Sequence, residues 1–417
     1  MSELSTLRQL FATGLSMSAD ELWAVDFTAA VVLSAKAHRD VEPLFGAIIG
    51  PPSTGKTELL RPYFDWDGMT SNLNEITQNG LVSGAPNIGK TYLQGLDRRV
   101  MVIPDLTPML QSTGQRREQF FGVIRAIFDG SYNKKSGAAG AHRKIEARVS
   151  ILAASTEIVS TYAEQDVDMG QRFVFIRSVR HRTRARQRAI SRLAMNAIDT
   201  PTWRSSVREA VRNLFDTVRR THSPATLVAP PVPEKADDES EADYRARKEN
   251  MDREHALGWS CITIPRVTMT EPQIEALISL AAILTRLRSG RYDATHCFHE
   301  EEGYTRFQKQ LQVLTRCRAV LDGRTAMNDD DLEFARIVTR DTLDPFRYRF
   351  LQTLHRTPDL SIEELLRTTR IPPNALQNLL AHYDYNGVVV SSGVIEKTWK
   401  LHDDVQEDLT LCQLLSS

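Results

Sequence analysis

Cysteine is scarce in this chain: four in 417 residues, at Cys261, Cys297, Cys317 and Cys412, with no C-x-x-C pair among them. That spacing excludes a disulfide framework and a thioredoxin-type redox motif, and it predicts free thiols in a reducing compartment. His296, Cys297 and His299 invite a metal reading, but no complementary pair stands at ligand spacing elsewhere. Also absent is any apolar run long enough to span a bilayer, and the start, M-S-E-L-S-T-L, lacks the basic-then-apolar layout of a secretion signal. The expectation is a cytoplasmic protein with no membrane partner. Charge of one sign is missing as well: 52 Lys and Arg against 53 Asp and Glu leave a net charge of −1, so contact with nucleic acid must come from local patches. No repeat with a period of about 20 to 50 residues is visible. The length suffices for roughly two or three domains with a sizeable core.

What is present, twice, is the phosphate-binding pattern G-x-x-x-x-G-K-[ST]. It occurs at 50–57 (G-P-P-S-T-G-K-T) and at 84–91 (G-A-P-N-I-G-K-T). The pattern works when a buried strand delivers a glycine-rich turn whose N–H groups wrap the phosphates and a helix follows. The first match has that setting. The apolar run 43–49 suits a central strand, and 57–64 can continue as a helix. The second is entered from a polar segment and leaves no room for an ordinary helix before the apolar run 100–103, so a surface loop is its simpler reading. Gly50, Pro51, Pro52, Ser53, Thr54, Gly55, Lys56 and Thr57 are therefore the candidate nucleotide-binding residues.

A phosphate loop needs an acid at the end of a neighbouring strand to hold magnesium. R-R-V-M-V-I-P-D-L-T supplies Asp105, about fifty residues downstream; the competing reading is a helix N-cap before Pro108. With Thr57 it forms the candidate magnesium pair. The residue after Asp105 is Leu106, where a water-orienting glutamate would be expected, and Glu75 is the nearby acid nominated instead. The apolar run 147–154 ends in Ser155 and Thr156, hydroxyls able to sense a γ-phosphate. Beyond lies M-G-Q-R-F-V-F-I-R, in which Arg172 would offer its guanidinium outward to a neighbouring subunit's γ-phosphate. An ion pair within the subunit is the alternative for Arg172.

The order of phosphate loop, acid, hydroxyl strand and G-Q-R-F resembles an AAA+ ATPase. Residues 129–156 (D-G-S-Y-N-K-K-S-G-A-A-G-A-H-R-K-I-E-A-R-V-S-I-L-A-A-S-T) resemble the pre-sensor hairpin and sensor strand of minichromosome maintenance helicases. The segment T-R-F-Q-K-Q-L-Q-V-L-T-R-C-R-A-V-L-D-G-R-T-A-M-N-D-D-D-L is similar to the helical lid of MoxR-type AAA+ proteins, with Arg306 at the lid arginine position. The resemblance covers roughly residues 43–200 and 262–345, and Leu106 departs from it. It implies ATP and Mg2+ as cofactors and a ring, taken as a homo-hexamer. It also implies a hairpin whose Lys134, Lys135, Arg143 and Lys144 contact DNA.

The expected fold class is α/β: an AAA+ core with a parallel sheet, then a helical lid and a winged helix-turn-helix. The expected boundaries are 1–42 for an N-terminal helical segment opened by an S-x-x-E cap at Ser18, 43–200 for the core, 201–345 for the lid with an exposed insertion at 221–258, and 346–417 for the winged helix. Ser361, Pro372, Pro373, Gly387 and Gly393 punctuate that tail. Its third helix carries Asn374, Gln377, Asn378, His382 and Asp384 without Lys or Arg, leaving both a DNA contact and a protein partner open. Arg177, Arg180, Arg182, Arg184, Arg186, Arg188 and Arg192 form the densest basic cluster, read as a solvated helix or as a subunit or DNA contact. The functional expectation is an ATP-dependent ring-forming DNA motor or remodeller, helicase-like or a replication initiator of a phage or mobile element. The alternative is a slowly hydrolysing ATP-gated regulator, loader or MoxR-like chaperone acting on a protein.

Overall fold

The computed structural model describes all residues except 1, 37–42, 73–95, 130, 136–141, 160–171, 179–183, 196–199, 223–234, 236–238, 257–263, 289–290, 294–295, 299–302, 394–396 and 416–417. By internal contacts the chain divides into two compact units. The first comprises Met1–Val159, Arg172–Val267 and Val313–Met327; the second is built mainly from Thr268–Gln312 and Asn328–Ser417.

Two helices open the first unit. α1 (Glu3–Leu15) is capped by Ser2, whose hydroxyl accepts the Ser5 N–H, and buries Leu4, Leu7, Phe11 and Leu15 at the three- and four-residue spacing of one helix face. The Ser18 N–H donates to the Glu21 carboxylate at 2.9 Å, but the Glu21 N–H bonds to the Ser18 carbonyl, so the two close a turn and α2 (Trp23–Ser34) begins after it without a side-chain cap. α2 is buried on every side, so its core must also accommodate a carboxylate. Asp26, 0% exposed, accepts from Arg318 Nε at 2.8 Å and from Arg8 Nη1 at 3.2 Å. The two guanidinium groups each lie 4.8 Å from the Trp23 ring centroid. Burial holds the Asp26 carboxyl above the usual carboxylate range, against the pull of both arginines.

The sheet follows. In chain order its elements are β1 (Phe45–Ile49), α3 (Lys56–Leu60), β2 (Thr70–Asn72), β3 (Arg99–Ile103), α4 (Thr107–Leu110), α5 (Gly114–Phe128), the hairpin β4 (Ser131–Lys135) and β5 (His142–Glu146), β6 (Val149–Ser155) and β7 (Phe173–Arg177). β1, β2, β3, β6 and β7 form one parallel sheet in the order β2-β3-β6-β1-β7. Its central strands are buried along their whole length, which is why they read as mostly apolar runs, with Ser150 buried in β6. Gly46 lets α2 lie directly on β1: a Cβ there would stand 2.7 Å from Val31 Cγ2 and 2.8 Å from Phe27 Cζ. The helix after the first glycine loop is shorter than expected. It ends at Leu60, and Arg61–Tyr63 tightens into a 3-10 turn, because Pro62 has no N–H to continue the α-helical ladder. Three further helices, α6 (Arg184–Met195), α7 (Thr200–His222) and α8 (Glu241–Ala256), belong to this unit. The result is a mixed α/β architecture, a parallel five-stranded sheet roughly like a generic P-loop NTPase core, followed by a helical region.

The second unit contains α9 (Glu271–Arg288), the short hairpin β8 (Arg291–Asp293) and β9 (His296–Phe298), and the start of α10 (Thr305–Leu321), whose residues from Val313 count with the first unit. α11 (Asp329–Thr342) opens on a reciprocal capping box of Asn328 and Asp331, and α12 (Pro345–Arg356) on Asp344. Next come β10 (Leu360–Ser361), α13 (Ile362–Thr369) with a Ser361–Glu364 capping box, α14 (Pro373–Tyr385), β11 (Val389–Ser392) and β12 (Thr398–Leu401). The three strands form an antiparallel sheet ordered β10-β12-β11. A last helix, α15 (Asp403–Cys412), lies outside the sequence expectation; it is capped by His402 and packs on α9. Among the described residues no helix is long and apolar enough to cross a membrane.

Candidate functional site

β1 delivers the chain to Gly50, and the loop is stitched to both neighbouring strands. The Gly50 N–H donates to the Ser155 carbonyl of β6 at 3.2 Å, and the Ser178 N–H, just past β7, donates to the Ile49 carbonyl at 2.9 Å. A Cβ on Gly50 would fall 2.5 Å from Ser178 Oγ, so a side chain there would require that hydroxyl to move. The loop turns through two left-handed residues, Ser53 at φ 60° and Gly55 at φ 83°. For serine that conformation costs on the order of 1 kcal/mol, and such residues concentrate at ligand loops. Thr54 Oγ1 donates to the Pro51 carbonyl at 2.8 Å. Lys56 Nζ curls back to donate to the Gly50 and Pro51 carbonyls at 2.6 and 2.7 Å. Burial lowers the Lys56 pKa, while the charges of Asp105 and Glu157 act in the opposite direction.

Sheet order brings the other candidates to the same edge. β6 lies between β1 and β3, with Ile49 level with Ser155 and Ile103 level with Ala153. The Leu106 N–H continues the pairing to the Ala154 carbonyl at 2.8 Å, so Asp105 emerges beside the end of β6. Asp105 is exposed, and one carboxylate oxygen accepts the Thr107 N–H at 2.8 Å, the geometry of an Asx turn just before α4, whose N-cap is Leu106. Thr107 Oγ1 stands 3.4 Å from Thr156 Oγ1. Ser155 is fully buried, and its hydroxyl has no hydrogen-bond partner among the described residues. A buried hydroxyl without a partner costs about 1–3 kcal/mol, and each such group calls for an explanation.

Arg172 departs from its expectation. The guanidinium expected to face outward is buried, 7% exposed, lying 3.8 Å from Asp129 and 5.6 Å from the Phe128 ring centroid. The physical reason is local: α5 ends in an aromatic ring and a carboxylate, and the planar cation satisfies both. Glu157, immediately after Thr156, was not singled out from the sequence, yet its carboxylate binds Arg177 Nη1 at 2.6 Å at the head of the sheet.

Arg306 stands in the first turn of α10, within the second unit. The basic hairpin residues occur on β4 and β5, with Lys134 the register partner of Arg143 and Asn133 that of Lys144. In the arginine-rich stretch, Arg184, Arg188 and Arg192 are exposed on α6. Glu75, the second glycine-loop match with Lys90, Arg180, Arg182, Cys261 and His299 lie outside the described residues. Among the described residues no three His, Cys, Asp or Glu side chains gather to hold a metal. Cys317 and Cys412 are buried thiols whose pKa burial pushes up to about 12.

Comparison with protein-family models and with curated proteins returns no match. The geometry of the sheet edge is therefore what any functional reading rests on.

Proposed function

We propose that the protein is an ATP-dependent, ring-forming DNA motor or remodeller of the AAA+ type, built as a nucleotide core, a helical lid and a winged helix-turn-helix. The observation that carries this reading is the convergence at one edge of the parallel sheet: the Gly50–Thr57 loop, Asp105, and the Ser155 and Thr156 hydroxyls between them. Ligands of open α/β sheets bind outside the carboxyl ends of the strands, where these residues stand. The loop offers backbone N–H groups and the Lys56 ammonium to the phosphates, and the Ser155 hydroxyl, without a partner among the described residues, fits a site that receives an acceptor oxygen. Thr57 and Asp105 would hold Mg2+, which supplies charge neutralisation on the β- and γ-phosphates. A role for Arg172 across a subunit boundary requires its guanidinium to exchange Asp129 for a neighbour's phosphate.

The slowly hydrolysing regulator is favoured by two observations. Leu106, in the place of a water-orienting acid, is fully buried. On α14 the exposed residues Asn374, Gln377, Asn378 and Asp384 include no cation, and His382 is buried.

The DNA part of the proposal rests on the hairpin. Lys134 is the register partner of Arg143, so the basic residues of the hairpin lie on adjacent strands. Neutralising Lys134 and Lys135 together is expected to weaken DNA binding at every sequence tested and to reduce the salt slope by about one to two phosphate contacts. ATP binding without DNA stays as in the wild type. Fluorescence anisotropy over a salt series measures this, and unchanged affinity with unchanged slope would favour the regulatory switch over the motor.

A further inference from the structure

The proposed hydrolase lacks an acid after Asp105. Leu106 fills that position, is fully buried and has its N–H committed to the Ala154 carbonyl. Other described acids of the first unit are engaged elsewhere, Asp129 and Asp97 at the opposite, amino-terminal ends of the strands. Glu58, next to Thr57, is bound by Arg204 at 2.6 Å and by Arg61 at 3.2 Å; Asp129 faces Arg172; Asp97 accepts the Arg148 N–H.

Glu157 differs from all of these in where it stands. It leaves β6 one residue after Thr156, and its carboxylate is gripped through both oxygens by Arg177 Nη1 at 2.6 Å. Arg177 ends β7 and is level with Ile49, the residue from which β1 enters the glycine loop. The pair thus spans from β6 to β7 across the head of β1, above the root of the loop. Glu157 remains 53% exposed while Arg177 is largely covered, so the carboxylate is held from one side and open to water on the other. An exposed pair of this kind adds roughly 0–1 kcal/mol to stability, which gives it little purpose as a staple. The charge of Glu157 also reaches Lys56, as that of Asp105 does.

We propose that Glu157 is the catalytic residue that orients and deprotonates the attacking water at this site, and that Arg177 is the positioning residue that fixes its carboxylate. The inference rests on the ATP-hydrolase reading. In the step, a water oxygen bonds to the γ-phosphorus while Glu157 accepts the water proton. The bond from the γ-phosphorus to the bridging oxygen breaks, and its electron pair leaves with ADP. Inorganic phosphate is the second product, and Glu157 returns the proton to solvent. A glutamate at the end of the strand between the loop and Asp105 supplies from one side what the position after Asp105 supplies from the other.

The test is ATP turnover and ATP binding by the full chain carrying Glu157→Gln, Glu157→Asp, Arg177→Ala, or Arg177→Ala with Glu157→Gln. Glu157→Gln is expected to lower kcat on the order of a hundredfold or more, as loss of a general base does, with the ATP dissociation constant within about threefold of wild type. Glu157→Asp retains an intermediate rate. Arg177→Ala lowers kcat and leaves KM in place, and the double variant is no slower than Glu157→Gln alone, since both act through one carboxylate. A merely structural pair would shift the melting temperature and leave kcat unmoved. If the wild type hydrolyses ATP and Glu157→Gln keeps kcat within about threefold, the inference is overturned while the hydrolase reading stands. If the wild type neither binds nor hydrolyses ATP, both fall together.

Discussion

Lys56→Ala is expected to abolish measurable nucleotide binding, whereas Lys90→Ala leaves it nearly unchanged. The Lys56 ammonium is half-buried at the base of the Gly50–Thr57 loop, bonded to the Gly50 and Pro51 carbonyls at 2.6 and 2.7 Å. In that position it ties the loop together, and in the proposed ATP site it would bring the positive charge that β- and γ-phosphates need. Hydrogen bonds to charged groups contribute roughly 1.5–3 kcal/mol each, so losing the cation is expected to weaken binding on the order of a hundredfold or more. Titration of Mg-ATP against both variants by calorimetry reads the difference, with thermal melts showing that each variant is folded. A larger loss in Lys90→Ala would move the site to the second glycine loop.

The second large effect is on stability. Arg318→Ala is expected to cost about 3–5 kcal/mol, because it strips a fully buried carboxylate of its principal partner. Arg318 is 2% exposed and Asp26 0%, and the two meet at 2.8 Å beneath Trp23. Arg8, the remaining cation, is more exposed and more distant, at 3.2 Å, and cannot replace it. Replacing the pair together, Asp26→Leu with Arg318→Met, should recover most of the loss, since an apolar pair of similar volume carries no desolvation penalty. Urea unfolding of the single and double variants measures both numbers. A loss under about 1 kcal/mol in Arg318→Ala would mean that the pair is not a keystone of the first unit.

Those two sites were not equally legible in the sequence. The glycine loop was, because Gly50, Gly55 and Lys56 stand between an apolar run and a helix start, and the apolar runs that became β1, β3 and β6 were, because strands buried on both faces admit few polar residues. The early end of α3 was also written in the chain, at Pro62, and the expectation of a longer helix passed over it. Asp26 and Arg318 are 292 positions apart, and no local pattern joins them. Glu157 gains its meaning only from register, since it matters that β6 and β7 flank β1 and that Arg177 is level with Ile49. The inward turn of Arg172 depends in the same way on Phe128 and Asp129, which reach it from the end of α5. Local chemistry wrote the loop into the sequence; tertiary pairing decided which charges surround it.

One measurement bears most directly on the reading as an ATP-driven DNA motor: Mg-ATP turnover by the full chain alone, with single-stranded DNA and with double-stranded DNA, using Lys56→Ala as the blank. The reading predicts slow basal hydrolysis above the blank and a rise of roughly tenfold or more, about 1.4 kcal/mol off the barrier, with at least one form of DNA. Turnover that never exceeds the Lys56→Ala blank under any of the three conditions would contradict it.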